Sequence, residues 1–313
     1  MKSKQHEFST FPEFTELTLA DREEYNKLIE KYPPISEISF STLMTSWSAL
    51  DNCKIAILND NVVISYWLPG DEKNSGLSLV GVNKIDESIC EIFDYIKAKE
   101  QDCKLVHVPE FTLANINYPN MYKCKEESDF TESIIPIEPY VNLNKASAFV
   151  GLKTKKFLRA TKNKAISLKT IDVSKQSNRD LIIDCYYEWQ NKKHILIANK
   201  LPKHNEGAFL ETIKNGSILK QEVLSLFIGD DIHAFTVIEA SPDNKYKTIK
   251  YSGFSCEIPG LYEFSRYKLA ERFFEENSKY VNIVIHIGDP RYKVHRLALN
   301  PVNAFRKYTV EPK

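Results

Sequence analysis

The chain has 313 residues, 42 of them basic and 42 acidic, so its formal net charge is zero, and 42% of its residues are hydrophobic. These values predict a folded, soluble protein of about two domains with ordinary apolar cores. The N-terminal segment MKSKQHEFSTF lacks the apolar stretch of a signal peptide, and no run reaches the roughly 18 apolar residues that span a bilayer. We therefore expect a cytoplasmic protein without a transmembrane segment.

The cysteines are widely spaced, and no two of them form a C-x-x-C pair. This spacing favours neither a structural zinc site nor a disulfide framework. We expect reduced structural thiols and no metal site. The cysteines are Cys53, Cys90, Cys103, Cys124, Cys185 and Cys256.

The first half of the chain predicts helix, hairpin, strand, helix and strand, in that order. The helical segment LADREEYNKLIEKY comes first, and two segments of alternating hydrophobicity, KIAILND and NVVISYWLP, then flank Asp60-Asn61, which indicates a hairpin. A strand, GLSLVGV, follows. The next segment, DESICEIFDYIKAKEQ, has Ile89, Ile92 and Ile96 at helical spacing, and KLVHVPEF closes the series as a strand.

The second half repeats this order. Helical segments that include RDLIIDCYYEWQNKK and GAFLETIKN precede a hairpin of EVLSLFIG and IHAFTVIEA around Asp230-Asp231. The strand YKTIKYSGF, the helix LYEFSRYKLAERFFEENSK and the strand YVNIVIHIG follow. Two copies of one order predict a duplicated α/β (α+β) unit, which we divide into domains at residues 1–135 and 136–313.

The segment from Pro139 to Ile171, which we call the basic block, contains no acidic residue. Its basic residues are Lys145, Lys153, Lys155, Lys156, Arg159, Lys162, Lys164 and Lys169. A surface with this excess attracts polyanions over roughly a Debye length, so phosphate is the expected partner. The alternative interpretation is a lysine-rich, solvated helix.

Short motifs along most of the chain together resemble one family. The closing segment reads VNIVIHIG from Val281 to Gly288, continues with Lys293 and Arg296, and ends in LNPV and RKY. Earlier motifs are YPP from Tyr32, FSTL from Phe40, Trp47, YVNL from Tyr140, Gly151, and PGLYE from Pro259. This set resembles the C-terminal catalytic domain of phosphatidylglycerol lysyltransferase and its soluble relatives, which are tandem GNAT folds.

The resemblance implies two tandem GNAT-like domains, each a mixed central sheet with flanking helices. It also implies an acyltransferase that moves an amino acid from aminoacyl-tRNA to a hydroxyl or amine acceptor, with aminoacyl-tRNA as co-substrate and no further cofactor. The ester of the donor is already activated, so the protein has to hold the acceptor, remove its proton and stabilise an oxyanion. We expect the site mainly in the second domain, where its sheet is splayed.

With tRNA as the partner, the basic block becomes a surface that follows phosphates. Its candidate residues are Lys153, Lys155, Lys156, Arg159, Lys162 and Lys164. Tyr262 and Glu263 follow Pro259-Gly260 at a helix start, where backbone N–H groups can bind an anion. Glu263 is equally an ordinary first-turn residue that favours the helix dipole. Lys293 is a further phosphate-binding candidate.

The candidate catalytic residues are His286, Arg296 and Glu257. The resemblance implies carboxylates at two positions that hold Val284 and His286 here, so either the donor amino acid differs or that step is lost. His286 can act as a base near neutral pH, or it is a packed strand histidine. Arg296 matches a late lysine of the family, and a guanidinium differs from an ammonium in geometry and hydration. Glu257 is a second candidate base.

Two other functions stay open. An acyl-CoA-dependent N-acyltransferase would need closely spaced glycines before the last long helix, where only Gly253 and Gly260 stand. A noncatalytic module that binds tRNA or another ligand is the third reading. The acceptor is a small molecule, a peptide, or a lipid approached by peripheral membrane contact; the sequence selects neither the acceptor, the donor amino acid nor the oligomeric state.

Overall fold

The computed structural model describes residues 8–47, 53–66, 76–99, 101–141, 148–196, 203–255, 257–284 and 296–313. Two compact units divide the chain: Met1–Glu132 with Phe305–Lys313 form unit 1, and Ser133–Ala304 form unit 2. The first boundary is three residues from the one drawn on the sequence. Residues 305–313, which the sequence analysis placed in the second domain, belong to unit 1 because they pair there as a strand.

The strands are β1 (Thr15–Glu16), β2 (Lys54–Leu58), β3 (Asn61–Tyr66), β4 (Gly76–Val80), β5 (Leu105–Pro109), β6 (Tyr122–Glu126), β7 (Glu132–Pro136), β8 (Ile166–Ile171), β9 (Glu222–Ile228), β10 (Asp231–Ala240), β11 (Tyr246–Phe254), β12 (Tyr280–Ile283), β13 (Asn303–Phe305) and β14 (Lys307–Pro312). The α-helices are α1 (Arg22–Ile29), α2 (Phe40–Thr42), α3 (Ile85–Ala98), α4 (Glu110–Leu113), α5 (Glu138–Val141), α6 (Ala148–Ala160), α7 (Gln176–Leu196), α8 (Lys203–Asn215) and α9 (Leu261–Glu275). Short 3-10 or π turns occupy Leu19–Asp21, Ser36–Ile38, Leu43–Trp47, Pro119–Met121 and Ser128–Phe130.

Unit 1 is built on a sheet with the strand order β1-β2-β3-β4-β5-β14-β6. Helix α3 buries Ile85, Ile89, Ile92, Phe93 and Ile96 in the main apolar core of this unit, as its helical spacing predicts. Each such side chain contributes roughly 1.5–3 kcal/mol by leaving water. The core therefore forms between α3 and the sheet.

The predicted first hairpin is present, with its turn one residue earlier than expected. Strands β2 and β3 meet at the pair Leu58↔Asn61, and Asn59 and Asp60 have φ of 50° and 60°. Two successive positive φ values are what a two-residue hairpin turn needs, and Asn and Asp tolerate them. Asn61 is instead buried in β3, where its side chain donates to the Asn83 carbonyl at 2.6 Å.

Unit 2 repeats the element order of unit 1, with the strand order β13-β7-β12-β11-β10-β9-β8. Its hairpin is β9 and β10, followed by β11, α9 and β12, which matches β2, β3, β4, α3 and β5. In both units the last two strands of the series, β4 with β5 and β11 with β12, run parallel, and the strands before them pair antiparallel. The predicted mixed α/β chain with two GNAT-like domains is confirmed.

Candidate functional site

In the sheet of unit 2, the described pairing between β11 and β12 ends at Ile249↔Ile283, and we call this point the splay. Within the part of the chain that the structure describes, these strands pair from Tyr246↔Tyr280 to Ile249↔Ile283, and β11 continues along β10 to Phe254. A cavity of about 30 Å³ lies at the last pair. Ile249, Ile283, Leu269, Phe273, Leu299 and Arg266 are among the residues that line it. A small apolar recess, with one basic residue among those that line it, therefore lies at the splay.

Arg266 reaches this wall from α9. Its guanidinium carbon lies 5.0 Å from the centre of the Tyr262 ring and 6.0 Å from that of the Phe254 ring. The Nε and Nη1 atoms are buried, and neither has a hydrogen-bond acceptor within the part of the chain that the structure describes. Aromatic rings attract a cation, but they do not replace hydrogen-bond acceptors.

The start of α9 is held by α6. Gly260 precedes the helix with φ of 79°, and a Cβ added there would come within 2.2 Å of the Lys153 carbonyl oxygen. Only glycine suits both the left-handed backbone and this close approach. One turn further on, the rings of Phe157 and Phe264 stack with centroids 4.3 Å apart. The backbone of the basic block is thus packed directly on the beginning of α9.

Helix α6 displays its basic side chains outward. Its buried positions, Val150, Thr154, Phe157 and Thr161, recur every three to four residues and form the inner face. The exposed basic residues are Lys153, Lys155, Lys156 and Arg159 on α6, and Lys162 and Lys164 directly after it. Among the described residues, no carboxylate lies within ion-pair distance of Lys155, Lys156 or Arg159. Lys169, on β8, instead lies over the Phe227 ring at 4.5 Å.

Arg296 lies beside the splay. Its side chain is 8% exposed, and its Nη2 donates to the carbonyl of Val284, the residue directly after Ile283. The Arg296 carbonyl accepts from the Leu299 amide at 3.0 Å, and the Leu299 carbonyl accepts from the Tyr140 hydroxyl at 2.5 Å. Burial, with the nearby Tyr262, raises the pKa of Tyr140 to about 12, so it stays a hydrogen-bond donor at neutral pH.

The remaining sequence candidates occupy different surroundings. Tyr262 is partly exposed and contacts Arg266, and Glu263 is buried in the first turn of α9. Glu257 is exposed on the turn before α9. His286 and Lys293 lie outside the described residues. The structure thus places Arg296 beside the splay, Tyr262 against Arg266, and Glu257 on the surface.

Sequence reasoning missed Arg266 and Tyr140. Arg266 occupies the same helical face as Leu269, Ala270 and Phe273, at spacings of three, four and seven residues. A single arginine in an otherwise apolar stripe was the available indication. Tyr140 was part of a motif, but its contact with Leu299, far along the chain, requires the fold.

Within the described residues, no group of three or more His, Cys, Asp or Glu side chains is placed to hold a metal ion. In the same part of the chain, no helix combines the length and the apolar character that crossing a membrane requires.

No family model and no curated protein matches this sequence. Solved structures with the same fold include a conserved protein of unknown function from Bacteroides thetaiotaomicron, with a TM-score of 0.80 and 18% identity over 96% of this chain and 99% of that one. The C-terminal domain (DUF2156) assigned to lysylphosphatidylglycerol synthetase from Agrobacterium fabrum has a TM-score of 0.61 and 12% identity, covering 94% and 92%. L-PGS from Bacillus licheniformis has 0.60 and 12%, covering 98% and 94%. The chain therefore has the fold of the lysylphosphatidylglycerol synthetase C-terminal domain, as its sequence motifs suggest.

Proposed function

We propose that the protein is an aminoacyltransferase that moves an amino acid from aminoacyl-tRNA to a hydroxyl or amine of a soluble acceptor. The fold shared with lysylphosphatidylglycerol synthetase and the sequence resemblance support a transferase of this type. The observation that carries the choice of tRNA is the outward basic face of α6, whose backbone is packed on α9, the helix that also carries Arg266 to the splay. The proposed phosphate-binding surface and the recess therefore both contact the same helix, α9.

The chemistry is a simple displacement at an ester. The acceptor nitrogen or oxygen attacks the aminoacyl carbonyl carbon, the bond to the terminal ribose oxygen breaks, and the acceptor proton ends on that ribose hydroxyl. We assign the proton transfer to His286, with Glu257 as the second candidate base, and we place Arg296 near the reacting ester. A fixed cation at a buried position stabilises a developing oxyanion without reorganising.

The glycines near α9 favour aminoacyl-tRNA over acyl-CoA as the donor. A Cβ at Gly253 would come within 2.3 Å of the Phe235 ring, and one at Gly260 within 2.2 Å of the Lys153 carbonyl. Close packing accounts for the glycine at both positions. Neither glycine therefore indicates a loop whose backbone binds the pyrophosphate of CoA.

Charge reversal of α6 tests the tRNA surface. Changing Lys155, Lys156 and Arg159 to Glu should weaken tRNA binding at least about 100-fold and lower the slope of log affinity against log salt by about three, because three phosphate contacts are lost. Filter binding of aminoacyl-tRNA between low and moderate salt measures both quantities.

A matched variant controls for net charge. Lys175, Lys214 and Lys220 are exposed in unit 2 outside the basic block, and changing these three to Glu alters the total charge equally. We expect little change in affinity or slope from this control. Equal binding by the two variants would show that α6 is only a solvated helix.

Arg296→Ala separates the reacting centre from the tRNA surface. We expect a larger loss in single-turnover transfer, about 100-fold, than in tRNA affinity, because removing one donor to an oxyanion has about this effect. Transfer is measured as loss of labelled amino acid from tRNA in the presence of a cytosolic metabolite extract. Undiminished transfer would remove Arg296 from the site.

A further inference from the structure

Within the described part of the chain, the two sheets end in the strands β1, β6, β8 and β13, and a terminal strand without protection can pair with another chain. Strand β1 has two residues and β13 has three, so both are too short for such pairing. Strand β6 is longer, but Lys123, Lys125 and Glu126 make three of its five residues charged and exposed. Strand β8, ISLKTI, has six residues, no proline and one charge. It is the least protected of these terminal strands.

The single charge of β8 does not guard its outer edge. The Lys169 Nζ lies 4.5 Å from the centre of the Phe227 ring on the neighbouring strand β9, so this side chain leans away from the edge. The register of β8 and β9 is also uninterrupted from Ile166↔Ile228 to Ile171↔Val223. No bulge therefore twists this edge away from a partner strand.

The outer edge of β8 presents the backbone groups of Ile166, Leu168 and Thr170. The Gly229 amide donates to the Ala165 carbonyl at 2.8 Å, which fixes the alternation of the antiparallel ladder between β8 and β9. The odd-numbered residues of β8 therefore bond to β9, and the N–H and C=O groups of the even-numbered residues point outward. No described residue hydrogen-bonds to these outward groups. The edge thus carries a row of donors and acceptors that fits another strand.

We propose that two copies of this chain pair antiparallel through β8, so that one sheet continues across a twofold axis. The inference does not depend on the proposed function. In an antiparallel pair, outward groups bond only when both residues of the pair point outward. With Leu168 of each copy facing the other on the axis, Ile166 faces Thr170 of the second copy. Every outward N–H of one copy then meets a C=O of the other.

The backbone and the flanking charges favour the same register. A shift of two residues in either direction would leave Ile166 or Thr170 opposite a residue outside the strand. Lys164 and Asp172 are exposed and lie one pair beyond the two ends of the ladder, so each faces the other in the second copy. Opposite charges across an antiparallel pair are favourable. Strand β8 is therefore complementary to a second copy of itself.

Sedimentation velocity of the full chain tests the dimer. One strand from each copy forms a small contact, and interfaces below about 1,200 Å² are typical of transient complexes. We therefore expect monomer to convert reversibly to dimer as the concentration rises roughly 100-fold to ~0.5 mM.

Hydrogen exchange over the same concentration range locates the contact. The amides of Ile166, Leu168 and Thr170 should exchange at least about tenfold more slowly in the dimer, because they gain acceptors there. The amides of Ser167 and Lys169 bond to β9 and should be protected at every concentration.

Thr170→Pro removes one outward N–H without removing a bond between β8 and β9, so it should abolish dimerisation. Thr170→Ala is the matched control. It loses the same hydroxyl, which donates to Glu222 at 3.0 Å, but it keeps the N–H and should dimerise as the parent chain does.

Exchange of the flanking charges tests the register. Lys164→Glu and Asp172→Lys should each weaken dimerisation about tenfold, because each sets like charges opposite each other. The two changes together should restore the parent affinity, since the charges are then exchanged and again complementary.

Three results overturn the inference: a monomer over the whole concentration range, a dimer that Thr170→Pro leaves intact, or a charge exchange that fails to restore association. A monomer whose three outward amides are nevertheless protected would show that another strand covers β8, and it would reject the second copy.

Discussion

The two units share an element order, but they differ at the point where the pairing of their two parallel strands ends. Among the described residues of unit 1, β4 and β5 pair at Leu77↔Leu105, and His107, two residues further along β5, is 1% exposed. Its Nδ1 lies 2.6 Å from a Glu127 carboxylate oxygen, and its ring centre lies 4.3 Å from that of Phe130. In unit 2 the corresponding position has a cavity lined in part by Arg266, two of whose guanidinium nitrogens have no acceptor among the described residues.

The cations of the two units make the contrast sharper. Lys307 of unit 1 is fully buried, and its ammonium donates to Glu37, to Glu132 at 2.6 Å and to the Phe130 carbonyl at 2.6 Å. Glu132 also accepts from the Ser36 amide at 3.0 Å. A fully hydrogen-bonded network of this kind specifies one arrangement of its groups.

The largest expected effect comes from Lys307→Met. It leaves the Glu37 and Glu132 carboxylates buried without their cation, so the free energy of unfolding should fall by about 3–5 kcal/mol. Urea denaturation measures the loss. Adding Glu132→Gln to the same chain should recover part of it. A loss below about 1 kcal/mol would show that the network is not structural, and the contrast with Arg266 would disappear.

Gly260→Ala should have the next largest effect, because it combines a positive φ with the contact to Lys153. We expect a loss of about 2–3 kcal/mol in unfolding free energy and weaker tRNA binding. Gly229→Ala is the control, since Gly229 has φ of 68° and no atom within 4 Å of an added Cβ. It should cost about 1 kcal/mol and leave tRNA affinity intact. If the two variants lost equal stability and equal tRNA affinity, the packing of α6 on α9 would not be what supports tRNA binding.

The smallest expected effect is a pH dependence of unit 1. Burial raises the pKa of Glu37 to about 8, Glu132 adds to the rise, and Lys307 opposes it. Between pH 4.5, the usual pKa of a glutamate, and pH 8, Glu37 therefore keeps its proton in the folded protein but has lost it in the unfolded chain. The stability that depends on this proton is fully present below pH 4.5 and is lost as the pH rises through about 8.

Chemical denaturation at pH 5, 6.5 and 8 checks this dependence. Stability should decline across the series by on the order of 2 kcal/mol in the parent chain and much less in Glu37→Gln. Parallel pH profiles of the two proteins would contradict the assignment of the proton to Glu37.

Local patterns predicted most of the framework. The helical spacing of Ile89, Ile92 and Ile96 placed α3, and alternating hydrophobicity on either side of Asp60 and Asp230 placed both hairpins. Hydrophobic periodicity predicts these elements because each one buries a single face, and the pattern of that face is complete within a few consecutive residues. The exposed face of α6 was also visible, since its basic residues fall between the buried positions.

Long-range pairings escaped the sequence. Strand β14 pairs with β5 and β6 of unit 1, although most of unit 2 precedes it in the chain. Nothing in its own sequence, KYTVEP, predicts which strands it pairs with. The roles of Lys307 and Arg266 escaped for the same reason. Both are single basic residues in apolar surroundings, and their opposite environments depend on residues contributed by distant segments.

By itself, the amino-acid sequence determined the duplicated α/β architecture, the family resemblance and the basic face of α6, because these depend on residue type and on spacing along the chain. Only the tertiary structure decided that β14 completes unit 1, that α6 packs on the start of α9, and that two nitrogens of Arg266 have no acceptor among the described residues. Those features depend on which distant groups come within a few ångströms, and hydrogen bonds and ion pairs act only at that range.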